Sequence, residues 1–163
     1  MGLVAVEPAA GVRFGVLGPL QVVDGSGAAR VVSAAKQRIV LAALLLGTGG
    51  MVSAASLAEA LWDVSPPPNA PAVLRTYVTR LRHALGPAGA RISGGPPGWA
   101  VELDAPEEFD VAEADGLWRA ARAAAEAEEW RQASLLLSRA LSLWRGEPLA
   151  CRLTSAGRLA GDG

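Results

Sequence analysis

The chain has 163 residues, 51% of them hydrophobic, and its 15 basic and 16 acidic residues give a formal net charge of −1. This length suits one domain of ordinary size, or a small domain with an appendage. The charge balance excludes a globally basic protein, so a nucleic-acid or membrane partner could be recognised only through a local excess of charge. Cys151 and His83 are the only cysteine and histidine, so we expect no disulfide framework, no zinc site and no cofactor.

The apolar stretches are too short or too interrupted for a signal peptide or a membrane span. The first 14 residues have no basic segment, and Glu7 and Pro8 interrupt their apolar run. The longest strongly apolar run, from Ile39 to Gly47, falls well short of the roughly 20 residues that cross a bilayer. We therefore expect a cytoplasmic protein with no membrane partner.

The first predicted elements are short strands and a helix. From Arg13 to Ser33, apolar residues alternate with small or polar ones and two glycine-containing turns interrupt them, which predicts an antiparallel sheet. Ser33 is then expected to cap a helix over residues 35–46, and the glycines of residues 47–50 should end it. This helix is too continuously apolar to face solvent, so we expect it in the core.

Two further helices follow. Ser53 or Ser56 should start a short helix that the prolines of residues 65–71 end. A third helix should open at Asn69 or just after it and end at Gly86-Pro87. Its apolar residues recur at i, i+4, i+7 and i+11, which predicts one buried stripe of Leu74, Val78, Leu81 and Leu85.

Residues 90–103 form two short apolar runs around the turn Gly94–Gly98, which predicts a β-hairpin. The composition then becomes acidic between Asp104 and Asp110, where we expect a domain boundary. The expected division is an N-terminal extension over residues 1–12, a domain over 13–104, a partial helical domain over 105–150 and a tail over 151–163 that frays.

Two alanine-rich helical patterns follow the acidic segment, over about 111–126 and 130–144, separated by a short turn around Glu128. They predict an antiparallel helical hairpin packed through small residues. Such a hairpin cannot bury its apolar face alone, so Trp130, Leu137 and Trp144 need a partner. We expect the preceding domain to be that partner, because the connecting segment is short; self-association and an exposed patch are the alternatives.

The third helix collects positive charge on its outward side. A helical wheel places Thr76, Thr79, Arg80 and His83 opposite the apolar stripe, with Arg75 and Arg82 on the flank. Between Val64 and Val101 there are four arginines and no acidic residue, so this segment has a local charge of +4. Such a face suits the major groove of DNA, because outward side chains reach base edges and flanking guanidiniums pair with phosphates. The alternative is an ordinary amphipathic surface helix whose polar side faces solvent.

The order of elements favours a DNA-binding face over a solvated surface helix. A helix, a short helix, a longer basic helix and a hairpin in succession form a winged helix-turn-helix. The fold class predicted from the sequence is therefore α+β, with an N-terminal antiparallel sheet, three helices and a C-terminal wing hairpin, followed by an all-α helical hairpin.

These segments resemble the OmpR/PhoB-type winged-helix domain as it occurs in the SARP family, the antibiotic regulatory proteins of actinobacteria. The resemblance is carried by FGVLGPLQVVDGSG, AAKQRIVLAALLL, MVSAASLAEALW, VLRTYVTRLRHALG and PPGWAVEL, and it runs from Arg13 to Leu103. The following segment, EEFDVAEADGLWRAARAAAEAEEWRQASLLLSRALSLWRGEPLA, resembles the start of that family's bacterial transcriptional activator domain, which is similar to tetratricopeptide repeats. The resemblance implies a nucleoid-associated activator of a secondary-metabolite gene cluster. Its implied partners are promoter direct repeats in double-stranded DNA, RNA polymerase holoenzyme and, on the DNA, a second copy of the chain.

The resemblance also implies roles for individual residues. Thr76 and Arg80 fall where similar domains read bases, and phosphate contacts are implied for Tyr77, Thr79 and Arg82. The wheel places Tyr77 near the apolar stripe, so a core role is equally open. Together with the outward face, the predicted DNA-binding residues are Lys36, Arg38, Arg75, Thr76, Tyr77, Thr79, Arg80, Arg82, His83 and Arg91.

Three of these residues lie outside the third helix. Lys36 and Arg38 match a family pattern at the start of the first long helix, where ordinary solvated charges and a DNA backbone contact are both open. In the wing, this chain has Gly98-Trp99-Ala100 where the family usually has glycine-tyrosine-arginine. Arg91 is therefore expected to be the main cation of the wing.

Two other classes of function fit the sequence less well. An enzyme is disfavoured, because GTGG at Gly47 lacks the ending of a phosphate-binding loop and no serine or cysteine lies in a recognisable nucleophile motif. A non-catalytic protein-interaction module that uses the helical hairpin or the winged helix remains the alternative.

Overall fold

A computed structural model describes residues 11–47 and 50–148, and it begins with a three-stranded antiparallel sheet in the order β1-β2-β3. The strands are β1 (Arg13–Gly15), β2 (Gln21–Val23) and β3 (Ala29–Arg30). Phe14 lies opposite Val22, and both side chains are buried on the same face. The sheet that the alternating sequence predicts is therefore confirmed.

Three helices follow: α1 (Ala35–Leu46), α2 (Ala54–Trp62) and α3 (Ala70–Ala84). The predicted bounds of α1 are confirmed, but the predicted cap is wrong. Ala34 is the N-cap residue and no side chain caps the helix; Ser33 lies one residue too early, and its carbonyl accepts a hydrogen bond from Arg38 instead. Ser53 does cap α2, because its hydroxyl accepts the N–H of Ser56 at 3.0 Å.

A second three-stranded sheet forms the wing. Its strands are β4 (Val52–Ser53), β5 (Ile92–Gly95) and β6 (Gly98–Val101), in the order β4-β6-β5. The hairpin β5-β6 is confirmed, whereas the sequence did not indicate β4, which is two residues long. A 3₁₀ helix, Gly86–Arg91, which the sequence analysis missed, joins α3 to β5.

The core lies between α1, α2, α3 and the two sheets. Leu74, Val78 and Leu81 on α3 are each at most 1% exposed, and so is Leu85, which ends the helix. The predicted buried stripe is therefore confirmed. Burial of these side chains fixes which face of α3 points outward.

The chain continues into two antiparallel helices, α4 (Asp110–Glu126) and α5 (Trp130–Ser142). Glu128 lies in the turn between them with a φ of 62°, a left-handed conformation. Ala121, Ala124 and Ala133 are the buried residues of the contact, as expected for helices packed through small side chains. The helical hairpin is therefore confirmed, although α5 ends two residues before the predicted Trp144.

The helical hairpin is docked on the N-terminal sheet by buried carboxylates. Asp110 accepts hydrogen bonds from the backbone N–H groups of Val16 and Leu17, and Glu113 pairs with Arg13 at 2.9 Å. After α5, the backbone N–H of Arg145 donates to the carbonyl of Leu17 at 2.7 Å. The docking predicted from the short connection is therefore confirmed at both ends of the helical hairpin. The expectation that this docking would cover Trp130, Leu137 and Trp144 is wrong, because all three side chains stay exposed.

Docking leaves much of the apolar face of α5 uncovered. Trp130 is 66% exposed and Leu141 is 70% exposed, and Leu137 and Trp144 are also exposed. The predicted tail, residues 151–163, lies outside the described residues. Within the described ranges, no helix has both the length and the apolar character needed to cross a membrane.

Candidate DNA-binding surface

The outer face of α3 consists of Arg75, Thr76, Thr79, Arg80 and His83, all of which are exposed. They lie opposite the buried leucines because positions three and four apart share one side of a helix. The prediction that Thr76, Thr79, Arg80 and His83 point outward is confirmed, and Arg75, predicted on the flank, is exposed beside them. Their contacts with DNA stay a prediction.

Arg75 and Arg80 carry the positive charge of this face that no other group of the described residues pairs with. Within residues 11–47 and 50–148, neither guanidinium takes part in a hydrogen bond or an ion pair. Each has five N–H donors that are free for phosphate oxygens or for the acceptor pair of guanine. Burial of the opposite stripe holds both cations at the surface.

The two threonines of this face are bonded to their own helix. The hydroxyl of Thr76 donates to the carbonyl of Ala72 at 3.1 Å, and that of Thr79 donates to the carbonyl of Arg75 at 2.9 Å. Each side chain therefore presents a methyl group and an oxygen acceptor outward. These groups suit a thymine methyl and a base amino group.

Arg82 makes contacts that the sequence analysis did not anticipate. Its Nε and Nη2 atoms donate to the carbonyl oxygen of Ile92 at 3.0 and 2.9 Å, and Nη2 also lies 3.3 Å from the carbonyl oxygen of Gly94. The guanidinium is thus turned toward the wing strand β5. The implied phosphate contact has to compete with these hydrogen bonds.

A groove of about 370 Å³ runs between the C-terminal half of α3 and the 3₁₀ helix. Thr79, Arg82 and His83 line one wall, and Gly89 and Ile92 lie opposite them. The backbones approach closely here: a Cβ atom on Gly89 would lie 2.9 Å from both the Cα and the carbonyl carbon of Arg82. The residue type at position 89 therefore controls how closely the 3₁₀ helix packs on α3.

Tyr77 is a packing residue. Its ring stacks on that of Trp62, with centroids 6.3 Å apart, and it lies partly buried against the core. Of the two roles left open by the sequence, the core role is the one that the structure supports. A phosphate contact by Tyr77 stays a prediction.

The two basic residues at the start of α1 are bonded within the chain. Lys36 Nζ donates to the carbonyl of Leu61 at 3.2 Å and lies 5.7 Å from the ring centroid of Trp62. Arg38 donates to the carbonyl of Ser33 at 3.0 Å. Neither contact neutralises a positive charge, and a DNA backbone contact by either residue stays a prediction.

The expectation that Arg91 is the main cation of the wing is wrong. Its side chain is 21% exposed and lies 2.7 Å from a carboxylate oxygen of Asp104 and 2.9 Å from one of Glu108. Two carboxylates therefore neutralise the charge of Arg91 within the chain. The turn of the wing, residues 94–98, consists of glycine and proline and offers its backbone alone.

An ion pair between a buried aspartate and a partly exposed arginine lies beside the end of α3. Asp24 pairs with Arg30 at 2.7 Å, and a Cβ atom on Gly86 would lie 2.9 Å from the Cζ atom of Arg30. The hydroxyl of Ser26 and the Arg30 guanidinium hold the pKa of Asp24 well below its usual range. Gly86 itself has a φ of 57°, which favours glycine at the turn out of α3.

The described residues contain no group of three or more histidine, cysteine, aspartate or glutamate side chains suited to hold a metal ion.

Comparison with known proteins identifies regulatory relatives. Residues 109–158 match the family model described as bacterial transcriptional activator domain. The chain is 42% identical over 144 residues to the regulatory protein AfsR of Streptomyces coelicolor, covering 88% of this chain and 14% of that protein. It is 34% identical over 157 residues to the transcriptional regulatory protein MoaR1 of Mycobacterium tuberculosis, covering 91% of this chain and 49% of the relative.

A solved structure has the same fold. Mycobacterium tuberculosis EmbR, in complex with a low-affinity phosphopeptide, superposes with a TM-score of 0.77 at 36% identity, over 85% of this chain and 37% of that one. The described architecture is therefore the α+β winged helix followed by a helical segment. The chain spans half or less of the length of each of these relatives.

Proposed function

The chain belongs to the SARP family, and from this we propose that it is a sequence-specific DNA-binding transcriptional regulator. The observation that carries the proposal is the outer face of α3, where Arg75 and Arg80 are exposed and uncommitted. In a winged helix-turn-helix, this helix enters the major groove. The relatives named above are regulatory proteins, which supports a role without catalysis.

In this proposal, the residues of α3 have distinct tasks. Arg80, on the outer face, donates to a base edge, and Thr76, one helical turn before it, contacts a base methyl or amino group. Arg75 pairs with a phosphate at the edge of the groove. The wing turn, which has no charged side chain, lies against the sugar-phosphate backbone.

The finer parts of the proposal come from the family resemblance. The DNA sites are direct repeats in a promoter, two copies of the chain bind them side by side, and the bound protein helps to position RNA polymerase holoenzyme. The controlled genes belong to a secondary-metabolite, or antibiotic, cluster, and the protein acts in the cytoplasm at the nucleoid.

The test measures the affinity of the chain for duplex DNA at several salt concentrations. Sites are first mapped by capturing genomic fragments on the purified chain and sequencing them, and the strongest site is then footprinted. We expect affinity that falls steeply as salt rises, because each phosphate contact releases counterions. We also expect two protected segments on one side of the duplex.

The matched control is Arg131→Ala, which removes an exposed arginine on α5, away from the proposed surface. This variant should bind the footprinted site as the parent does, whereas Arg80→Ala should not. Absence of salt-dependent binding to any duplex would contradict the proposed function.

A protein-interaction module is the second candidate function. The observation that favours it is the uncovered apolar face of α5, where Trp130 and Leu141 are mostly exposed. A parent protein that has no affinity for duplex DNA at low salt, yet has ordered helices by circular dichroism, would favour this alternative.

A further inference from the structure

The guanidinium of Arg82 spans two carbonyl groups of the wing. Nε and Nη2 donate to Ile92 O, and Nη2 also reaches Gly94 O. Arg82 lies on α3, ten and twelve residues earlier in the chain. A single side chain therefore connects the helix that is proposed to read DNA with the strand that leads into the wing turn.

The topology of the wing explains why these carbonyls need a donor. In the order β4-β6-β5, β5 is an edge strand, and β6 is the one strand within residues 11–47 and 50–148 that pairs with it. Residues two apart in a strand direct their carbonyls to the same edge. Ile92 O and Gly94 O face α3, where no strand follows, and the fork of Arg82 takes the place of a neighbouring strand.

We propose that Arg82 is a positioning residue that fixes the wing against α3, and that it is not a phosphate contact. The proposal rests on the DNA-binding function proposed above. Three hydrogen bonds to neutral carbonyls fix the direction of the guanidinium, and the backbone of Gly89 packs against the backbone of Arg82. Arg82 thereby sets the distance between the outer face of α3 and the wing turn, and so the width of duplex that the two can grip together.

A pair of uncharged substitutions separates positioning from charge. Arg82→Met and Arg82→Gln both remove the charge, but Gln places an N–H donor at the same side-chain position as Nε and can keep a bond to Ile92 O. We expect Arg82→Met to lower affinity for the footprinted site about tenfold and Arg82→Gln to lower it less. Both variants should keep the parent's slope of log affinity against log salt and its affinity for random duplex.

Arg75→Met is the matched comparison on the same helix, because the guanidinium of Arg75 has no partner among the described residues. It should lower the salt slope by about 1 and weaken binding to all sequences. If Arg82→Met and Arg82→Gln behave in this way too, with equal losses on specific and random DNA, the positioning role is overturned.

Hydrogen exchange on the free protein provides a readout that needs no DNA. Arg82→Met should speed the exchange of backbone amides in residues 92–101 while the amides of α1 exchange as in the parent, and Arg82→Gln should have a smaller effect. Unchanged wing exchange in Arg82→Met would overturn the proposal even if the parent fails to bind DNA. Should Arg82→Met not fold, the salt slope of Arg82→Gln decides: the parent's slope supports positioning, and a slope lower by about 1 refutes it.

Discussion

The carboxylate of Asp110 accepts a 2.8 Å hydrogen bond from the backbone N–H of Leu17. The two residues are 93 positions apart, and this contact joins the first turn of the helical hairpin to the loop between β1 and β2. Asp110 also accepts the N–H of Val16 and lies 3.3 Å from Arg145 Nη2. One buried side chain thus connects the sheet to both ends of the hairpin.

Replacing Asp110 should therefore destabilise the whole chain. Asp110→Ala leaves two buried backbone donors unpaired and should lower the free energy of unfolding by about 2–5 kcal/mol in urea titrations. The control, Asp115→Ala, removes an exposed carboxylate of α4 whose one ion-pair partner in the described part of the chain is Arg119. It should lower the free energy of unfolding by less than about 0.5 kcal/mol. Equal midpoints for Asp110→Ala and the parent would mean that docking does not depend on this carboxylate.

Arg80→Ala tests the outer face of α3. It should weaken binding to the footprinted site by about 1–3 kcal/mol and relax the preference at one base pair, because a base contact is lost. Titrations with the specific site, with single-base variants and with random duplex measure this. Equal losses on specific and random DNA would rule out a base contact by Arg80.

Gly89→Ala tests the close approach of the 3₁₀ helix to α3. The added methyl group would overlap the backbone of Arg82, which cannot move aside as a side chain can, so we expect a loss of about 1–3 kcal/mol in stability. Gly116→Ala is the control, because a Cβ atom at this position of α4 would meet no atom within 4 Å. Alanine there should raise the free energy of unfolding by about 0.5–1 kcal/mol. Thermal melts of the two variants should shift in opposite directions.

Leu81→Ala tests the orientation of α3. Leu81 is fully buried, so truncation should cost about 2–5 kcal/mol and abolish DNA binding through unfolding. Leu135→Ala, at a position 67% exposed, should change stability by less than about 0.5 kcal/mol. A Leu81→Ala protein that melts like the parent yet fails to bind DNA would contradict the assignment of the buried stripe.

The pH dependence of stability should report on Asp24. Its pKa is lowered in the folded chain by the Ser26 hydroxyl and by Arg30, so the folded state binds the proton of this group less readily than the unfolded state does. The stabilisation is complete above the unfolded pKa of about 4 and is lost as pH falls below that value. Urea midpoints should therefore fall less steeply below about pH 4 for Asp24→Asn than for the parent. An equally steep fall of the urea midpoint in both proteins would mean that Asp24 does not contribute to the loss of stability at low pH.

Periodic features of the fold could be predicted from the sequence because they are local. The bounds of α1 and the buried stripe of α3 follow from the spacing of leucines and from the glycines that end each pattern. The outward face of α3 follows as the complement of that stripe. Two-residue strands such as β4 leave no such pattern, because they are held by pairing with β6.

Side-chain partners from other elements could not be predicted in the same way. Arg82 and Arg91 are both arginines in a segment without acids, yet one is bonded to carbonyls of β5 and the other to Asp104 and Glu108. The helical wheel gives the direction of a side chain but does not show which groups of other elements it contacts. The available positive charge is therefore smaller than the count of arginines between Val64 and Val101.

The attachment of the helical hairpin at Asp110 and again at Arg145 means that it cannot turn independently of α3. On a duplex, moving a bound domain by about five base pairs carries it half a turn around the helix axis. The uncovered Trp130 and the exposed leucines of α5 would travel with it to the far side. The helical hairpins of two bound copies would then lie on the same side of the duplex only at certain spacings of the DNA repeats. That spacing, and not a flexible tether, would decide whether one large molecule can contact both helical hairpins at once.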